Sequence, residues 1–250
     1  MNRTVTGLPK EAAKTRRIVR ELEHVLGMPV PPQKKSPPLD ILIATILSQN
    51  TNDINSHRAY SNLRKQYPTW ESVRLARKSS IVSAIRTGGM ANQKAANIQD
   101  VLETLAEKFG SLNLRLLSKQ SDEEIIDFLI SLKGVGKKTA ACVLLFSLGR
   151  DIFPVDTHVH RICNRLGLVH NCNTPEKTFD AMKAILPRGK AYSLHINLIR
   201  FGRKICRSAN PLCGICPLYK ECEYPGRTQY RKTTPAAEDS KVDFMLLEQV

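Results

Sequence analysis

Four cysteines constrain this chain more than any other feature. Cys206, Cys213, Cys216 and Cys222 are spaced C-x6-C-x2-C-x5-C in one short segment near the C-terminus. Four thiolates that close together can wrap a metal centre, and thiolate is the soft ligand that selects iron–sulfur clusters or zinc. Asn210-Pro211, Gly214 and Pro217 lie among them and are residues that bend a backbone so that sulfurs can converge. The spacing leaves an iron–sulfur cluster, a zinc knuckle and paired disulfides all open. The other three cysteines, Cys142, Cys163 and Cys172, show no paired spacing, which fits a reducing compartment. The first two sit in apolar helical stretches and read as core residues.

The surroundings of that segment narrow the partner. The 250 residues carry 38 basic and 23 acidic side chains, a balance of 38 − 23 = +15. A pI near 9.7 calls for a polyanionic partner. The charge is dispersed over Arg16-Arg17, Lys34-Lys35, Lys137-Lys138 and Arg203-Lys204-Arg207 rather than packed into one basic amphipathic helix. Nucleic acid is therefore expected rather than a membrane surface. No apolar run reaches the roughly 18–20 residues of a membrane helix. Met1 to Lys14 lacks the apolar core of a signal peptide. A soluble intracellular protein of the cytoplasm or nucleoid is expected.

The chain reads as all-α, because Val, Ile and Leu recur at helical spacing and strand alternation is absent. Helices are expected over Glu11 to Leu26, from Asp40 as a cap into Ile41–Leu47, and near Ile54–Gln66, Ser79–Arg86 and Asn92–Phe109. Ser121-Asp122-Glu123-Glu124 has the capping-box form, and Thr174-Pro175-Glu176 has the cap-then-proline form. Pro29 to Pro38 reads as a connector. After Gly226 the composition turns polar and a loose tail is expected, in which Phe244-Met245-Leu246-Leu247 can dock back.

Between two helical patterns lies Leu132-Lys133-Gly134-Val135-Gly136-Lys137-Lys138-Thr139-Ala140. Two glycines permit a tight turn and close approach to a ligand. The first N–H groups of the next helix lack internal partners and, with the helix dipole, form a phosphate site. Val135 can anchor this hairpin, which would grip a DNA backbone without reading sequence. Thr139 to Leu148 holds no charged residue, so that helix is expected to be buried all round. Lys138, at its mouth, is a candidate amine nucleophile; Lys137 reads as a phosphate contact.

From Lys138 to Leu148 such a helix runs roughly 15 Å. After Gly149-Arg150-Asp151, the segment Ile152–Val155 can return over about 13 Å. Asp156 is thereby expected near Lys138, as the N-cap of the next helix, Thr157 to Leu166. His158 and His160 would face different ways on that helix, which argues against a metal site there.

Together, the Leu132–Ala140 hairpin, Val155-Asp156-Thr157-His158 at this separation and the four cysteines resemble the endonuclease III family. These are base-excision-repair DNA glycosylases with a helix-hairpin-helix and a [4Fe–4S] cluster. Leu47-Ser48-Gln49-Asn50-Thr51 and Gly89-Met90-Ala91-Asn92-Gln93-Lys94-Ala95 resemble further family segments, and the likeness runs from about Leu39 to Cys222.

The resemblance implies two helical domains with a DNA-binding cleft between them. A cluster domain would span 1–38 and 154–225, a helical barrel with the hairpin 39–153, and a polar tail 226–250. It implies Lys138 as the lysine nucleophile and Asp156 as the catalytic carboxylate. Cys206, Cys213, Cys216 and Cys222 would hold the [4Fe–4S] cluster. DNA contacts are implied at Gly134, Val135, Gly136, Lys137, Gln49, Asn50, Met90, His158, Arg203 and Lys204.

A monomer acting on double-stranded DNA with damaged bases or abasic sites is expected. It would be a bifunctional glycosylase and abasic-site lyase that removes oxidised pyrimidines. Asn50, Met90 and Ala91 depart from the family's usual wedge residues. A monofunctional mismatch or uracil glycosylase, with Lys138 only contacting DNA, is the alternative, followed by a non-catalytic DNA-binding iron–sulfur module.

Overall fold

The computed structural model describes residues 10–233. Among them the regular structure is helical, with no strand. In chain order the α-helices are α1 (Lys10–Leu26), α2 (Pro38–Ser48), α3 (Asp53–Gln66), α4 (Trp70–Arg74), α5 (Lys78–Ile85) and α6 (Ala91–Phe109). They continue as α7 (Asp122–Ser131), α8 (Lys137–Cys142), α9 (Thr157–Arg165), α10 (Pro175–Met182) and α11 (Ala191–Lys204). α8 runs on as a π-helix over Val143–Leu148. The described residues form two compact units, 10–31 with 151–233 and 32–150.

Local signals in the sequence start most helices where expected. Ser121 and Glu124 form the reciprocal capping box of α7. Thr174 accepts from the Lys177 amide ahead of Pro175 in α10. Asn52 caps α3 through the Asn55 amide at 2.9 Å. One expectation fails. Asp40 does not cap α2, which begins at Pro38 with Pro37 before it and no side-chain cap. Asp40 lies inside the first turn and accepts from the Tyr60 hydroxyl at 2.9 Å. A proline at N1 already suits a helix start, since its missing N–H would have had no partner.

In the 32–150 unit α2 is the central helix, with Ile41, Leu42, Ile43, Ala44, Ile46 and Leu47 all buried. It packs against α3, α6, α8 and the π-helix. The uncharged stretch from Thr139 to Ser147 is buried as expected. In the other unit α11 takes the centre and buries most of its length, from Ala191 to Ile199, against α1 and α9. Asp151 fixes its start by accepting from the Gly189 and Ala191 amides, the latter at 3.0 Å. No helix among the described residues is long and apolar enough to cross a membrane.

The first residues beyond Gly226, as far as Thr233, lie beside the cysteine segment, and the rest of the expected tail lies outside the described residues. The Arg227 and Arg231 guanidinium groups lie 5.1 Å and 5.7 Å from the Tyr219 ring centre. Gly214 permits this packing, because a Cβ there would sit 2.2 Å from the Arg231 carbonyl oxygen. Phe244 to Leu247 lie outside the described residues.

Candidate functional site

The hairpin is built by α7, α8 and two helices beneath it. α7 stops at Leu132, and the Val135 amide closes a tight turn onto the Leu132 carbonyl at 3.1 Å. Gly134 has φ +78°, and a Cβ there would fall 2.2 Å from the Asn97 side-chain nitrogen on α6. Glycine is thus required twice, by backbone conformation and by close approach. Val135 is buried and anchors the turn. Gly136 is the N-cap of α8, followed by Lys137 and Lys138 as its first two residues, both partly exposed. The amides of that first turn therefore lie beside two basic side chains.

Two further turns join this hairpin in the same unit. Gln49, just past α2, donates from its side chain to the Gly134 carbonyl at 3.0 Å. Asn50 and Met90 both adopt left-handed backbone, with φ 51° and 50°. The Asn50 side-chain amide contacts the Met90 sulfur at 3.5 Å. The structure thus connects Gln49 to the hairpin and Asn50 to Met90, residues that lie far apart in sequence.

The other unit holds the remaining candidates. Asp156 caps α9, accepting from the Val159 amide at 2.8 Å. The segment that delivers it is pinned from α11. His195 is buried and lies 2.9 Å from the Pro154 carbonyl through Nδ1, which must therefore carry the proton. His158 faces inward, with Nδ1 accepting from Arg161 at 3.1 Å. A Cβ on Gly202 would come within 3.0 Å of that nitrogen, so the imidazole packs on α11. Arg203 and Lys204 end α11 just before the first cysteine.

The four cysteine side chains line one cavity with Phe201, Leu212, Tyr219 and Tyr224, and its accessible wall is apolar. No two of the seven cysteines are joined in a disulfide. Asn210, at φ 47°, turns the chain, and the Leu212 amide closes the loop onto the Ile205 carbonyl at 2.9 Å. Burial pushes the Cys216 thiol up to about 12 and raises Cys213 and Cys222, and the neighbouring thiolates add to each rise. A cationic centre bound among the sulfurs would reverse that penalty, so the donor set fits a metal. Among the described residues no three His, Cys, Asp or Glu side chains are placed to hold a single metal ion.

Sequence reasoning missed the two arginines that hold this loop. Arg161 donates to the Gly202 and Cys206 carbonyls at 3.1 Å and 2.9 Å. Burial lowers its pKa from the usual arginine value. Arg165, one turn on, donates to the Arg207 and Ser208 carbonyls at 2.6 Å and 3.1 Å, and its guanidinium lies 4.3 Å from the Tyr224 ring centre. Their i, i+4 spacing on an otherwise amphipathic helix was the available signal. α9 thus carries the Asp156 cap at one end and the grip on the cysteine loop at the other.

Comparison with known proteins gives this arrangement a family. A profile described as HhH-GPD superfamily base excision DNA repair protein matches residues 43–188. Endonuclease III of Thermotoga maritima is 37% identical over 191 residues, covering 76% of this chain and 85% of that protein. Endonuclease III of Sulfolobus acidocaldarius is 33% identical over 185 residues, covering 73% and 80%. Against long plant relatives the chain spans as little as 9% of their length. The solved structure of a trapped endonuclease III–DNA covalent intermediate superposes with TM-score 0.75 at 26% identity, covering 88% of this chain and 99% of that one. The hairpin, the helical fold and these likenesses together show that the chain belongs to the endonuclease III family of helix-hairpin-helix DNA glycosylases.

Proposed function

We propose that this DNA glycosylase is bifunctional, removing oxidised pyrimidines from duplex DNA and cleaving the strand at the resulting abasic site. Lys138 carries the reading. It is a partly exposed amine on the first turn of α8, whose following residues are wholly buried, and it adjoins the glycine hairpin. A relative's trapped covalent intermediate with DNA supports covalent chemistry for the family.

The hairpin amides and Lys137 bind backbone phosphate, while Gln49, Asn50 and Met90 occupy the space that the extruded base leaves. His158 steadies the Asp156 helix, and Arg203 and Lys204 bind phosphate. The Lys138 amine attacks the anomeric carbon, the C–N glycosidic bond breaks, and the base leaves with the bonding pair and is protonated. The Asp156 carboxyl group, held by its cap, offsets positive charge that develops on the sugar. The sugar ring opens to an iminium with Lys138, which acidifies the neighbouring C2′ proton. Loss of that proton expels the 3′ phosphate, and water then releases the lysine.

Cys206, Cys213, Cys216 and Cys222 would hold a [4Fe–4S] cluster. Their sulfurs surround a cavity rather than converging on one point, which supports a cluster over a single zinc ion. When bound, the cluster supplies a rigid anchor for the loop that follows α11, and the chemistry above runs without it.

A panel of duplexes, each with one defined lesion, tests the substrate, and borohydride trapping tests the lyase. The expected result is release of oxidised pyrimidine, strand scission and a trapped adduct that Lys138→Ala abolishes. Base release with no scission and no adduct would establish a monofunctional enzyme. Zinc without iron or sulfide in the purified protein would overturn the cluster.

A further inference from the structure

Lys94, in the first turn of α6, is 2% exposed. Lysine is among the residues least often buried so deeply without a paired acid. Its ammonium donates instead to two main-chain carbonyls, those of Leu47 and Gly88, both at 2.8 Å. Leu47 lies at the end of α2, just ahead of Gln49-Asn50. Gly88 lies at the end of the short 3-10 turn Arg86–Gly88, just ahead of Met90. One buried charge therefore ties the bases of two turns whose tips meet through Asn50 and Met90. Both tips hold left-handed backbone, which costs on the order of 1–3 kcal/mol at each non-glycine residue and persists only where the surroundings enforce it. Burial lowers the Lys94 pKa to about 8, so the site is held against a real desolvation cost.

We propose that Lys94 is a positioning residue that sets the spacing of the Gln49–Asn50 and Met90 turns, and through it the preference for a lesion over intact duplex. This rests on the reading above that these turns enter DNA where a base has left. Lys94 touches no DNA itself. It acts on the two turns through the carbonyls that begin them. An apolar side chain at 94 would leave both carbonyls buried without a donor and let the turns drift apart. A shift of about 1 Å is enough to spoil such an alignment.

The test compares affinity for a duplex bearing one tetrahydrofuran abasic analogue with affinity for the same duplex undamaged. Lys94→Met keeps the stem and removes the ammonium. It is expected to lower the affinity ratio about tenfold, equivalent to about 1.4 kcal/mol. Binding to undamaged DNA should persist, because phosphate contacts carry it. Lys94→Arg, which keeps charge and donors, should restore part of the ratio. A role confined to stability would reduce the active fraction and both affinities together; an unchanged ratio in Lys94→Met overturns the proposal. Should Lys94→Met not fold, Lys94→Gln, uncharged and one atom shorter than the span to both carbonyls, should also lower the ratio, and an unchanged ratio there overturns the proposal equally. Asn50→Ala and Met90→Ala separate the two levels of argument. If neither lowers the ratio, the turns do not meet the lesion and the proposal falls with that reading. If both lower it and the Lys94 variants do not, the Lys94 proposal alone is wrong.

Discussion

The hairpin region and the cysteine region reach order by opposite routes. The hairpin turns are fixed from below by the chain itself. Asn97 presses on Gly134, Gln49 binds the Gly134 carbonyl, and Lys94 binds Leu47 and Gly88. The cysteine loop is gripped from outside, by Arg161 and Arg165 on its carbonyls, while burial and mutual repulsion work against its thiolates. The first region is held by contacts within the chain; in the second, burial keeps the thiols protonated, and a bound cationic centre would favour their thiolate form. Conserving the geometry of a reaction site and docking a loop are thus separate physical problems in one protein.

Four substitutions and a pH scan probe that contrast, from the largest effect to the smallest. Asp156→Asn should lower turnover by about 10²–10⁴-fold, since asparagine keeps the cap but not the charge. Stability measured by urea unfolding should barely move, and unchanged turnover in this variant would show that Asp156 serves only as a cap. Cys216→Ser should abolish the yellow-brown absorbance of the proposed cluster and destabilise its unit by about 5 kcal/mol or more, because metal binding is folding energy in such sites. Hydrogen exchange in the 32–150 unit should stay as in the parent; a matching loss there would break the distinction drawn above.

Leu42→Ala should reverse that pattern. Leu42 is fully buried in α2, so its truncation costs about 2–5 kcal/mol, read as a lower urea midpoint with the cluster absorbance intact. Arg165→Ala removes two carbonyl contacts of the cysteine loop and should cost about 1–3 kcal/mol. Its signature is faster cluster loss to a chelator, with the hairpin unaffected.

The pH scan gives the smallest effect. The folded value of Lys94, about 8, lies below the usual 10.5. Between those values the unfolded chain holds more protons, so the Lys94 contribution makes stability rise as pH climbs from 8 towards 10.5, and it is least favourable below 8. Lys94→Met should remove that slope from the urea midpoint measured against pH.

Much of the fold was legible because its signals are short-range. The capping box at Ser121, the Thr174-Pro175 start, the Asp156 cap and the buried run after Lys138 each depend on residues within a few positions of one another. Asp40 shows where that reasoning stops. A carboxylate beside an apolar run looks like a cap, but Pro37-Pro38 starts the helix and Tyr60 on α3 claims the carboxylate. Burial and then Asp40 raise the Tyr60 hydroxyl well above its ordinary pKa, a pairing across twenty residues with no local trace.

The sequence by itself determined the helical class, the glycine hairpin with Lys138 at its mouth, the aspartate cap and the spacing of four thiols. Helix periodicity, caps and turns are decided by neighbours along the chain, so a single sequence displays them. Only the tertiary structure decided that Lys94 ties two distant turns, that His195 pins the approach to Asp156, and that Arg161 and Arg165 hold the cysteine loop. Those side chains bind carbonyls, and every residue has a carbonyl, so no pattern of residue types marks the partner. Which carbonyl lies within reach is settled by how the helices pack.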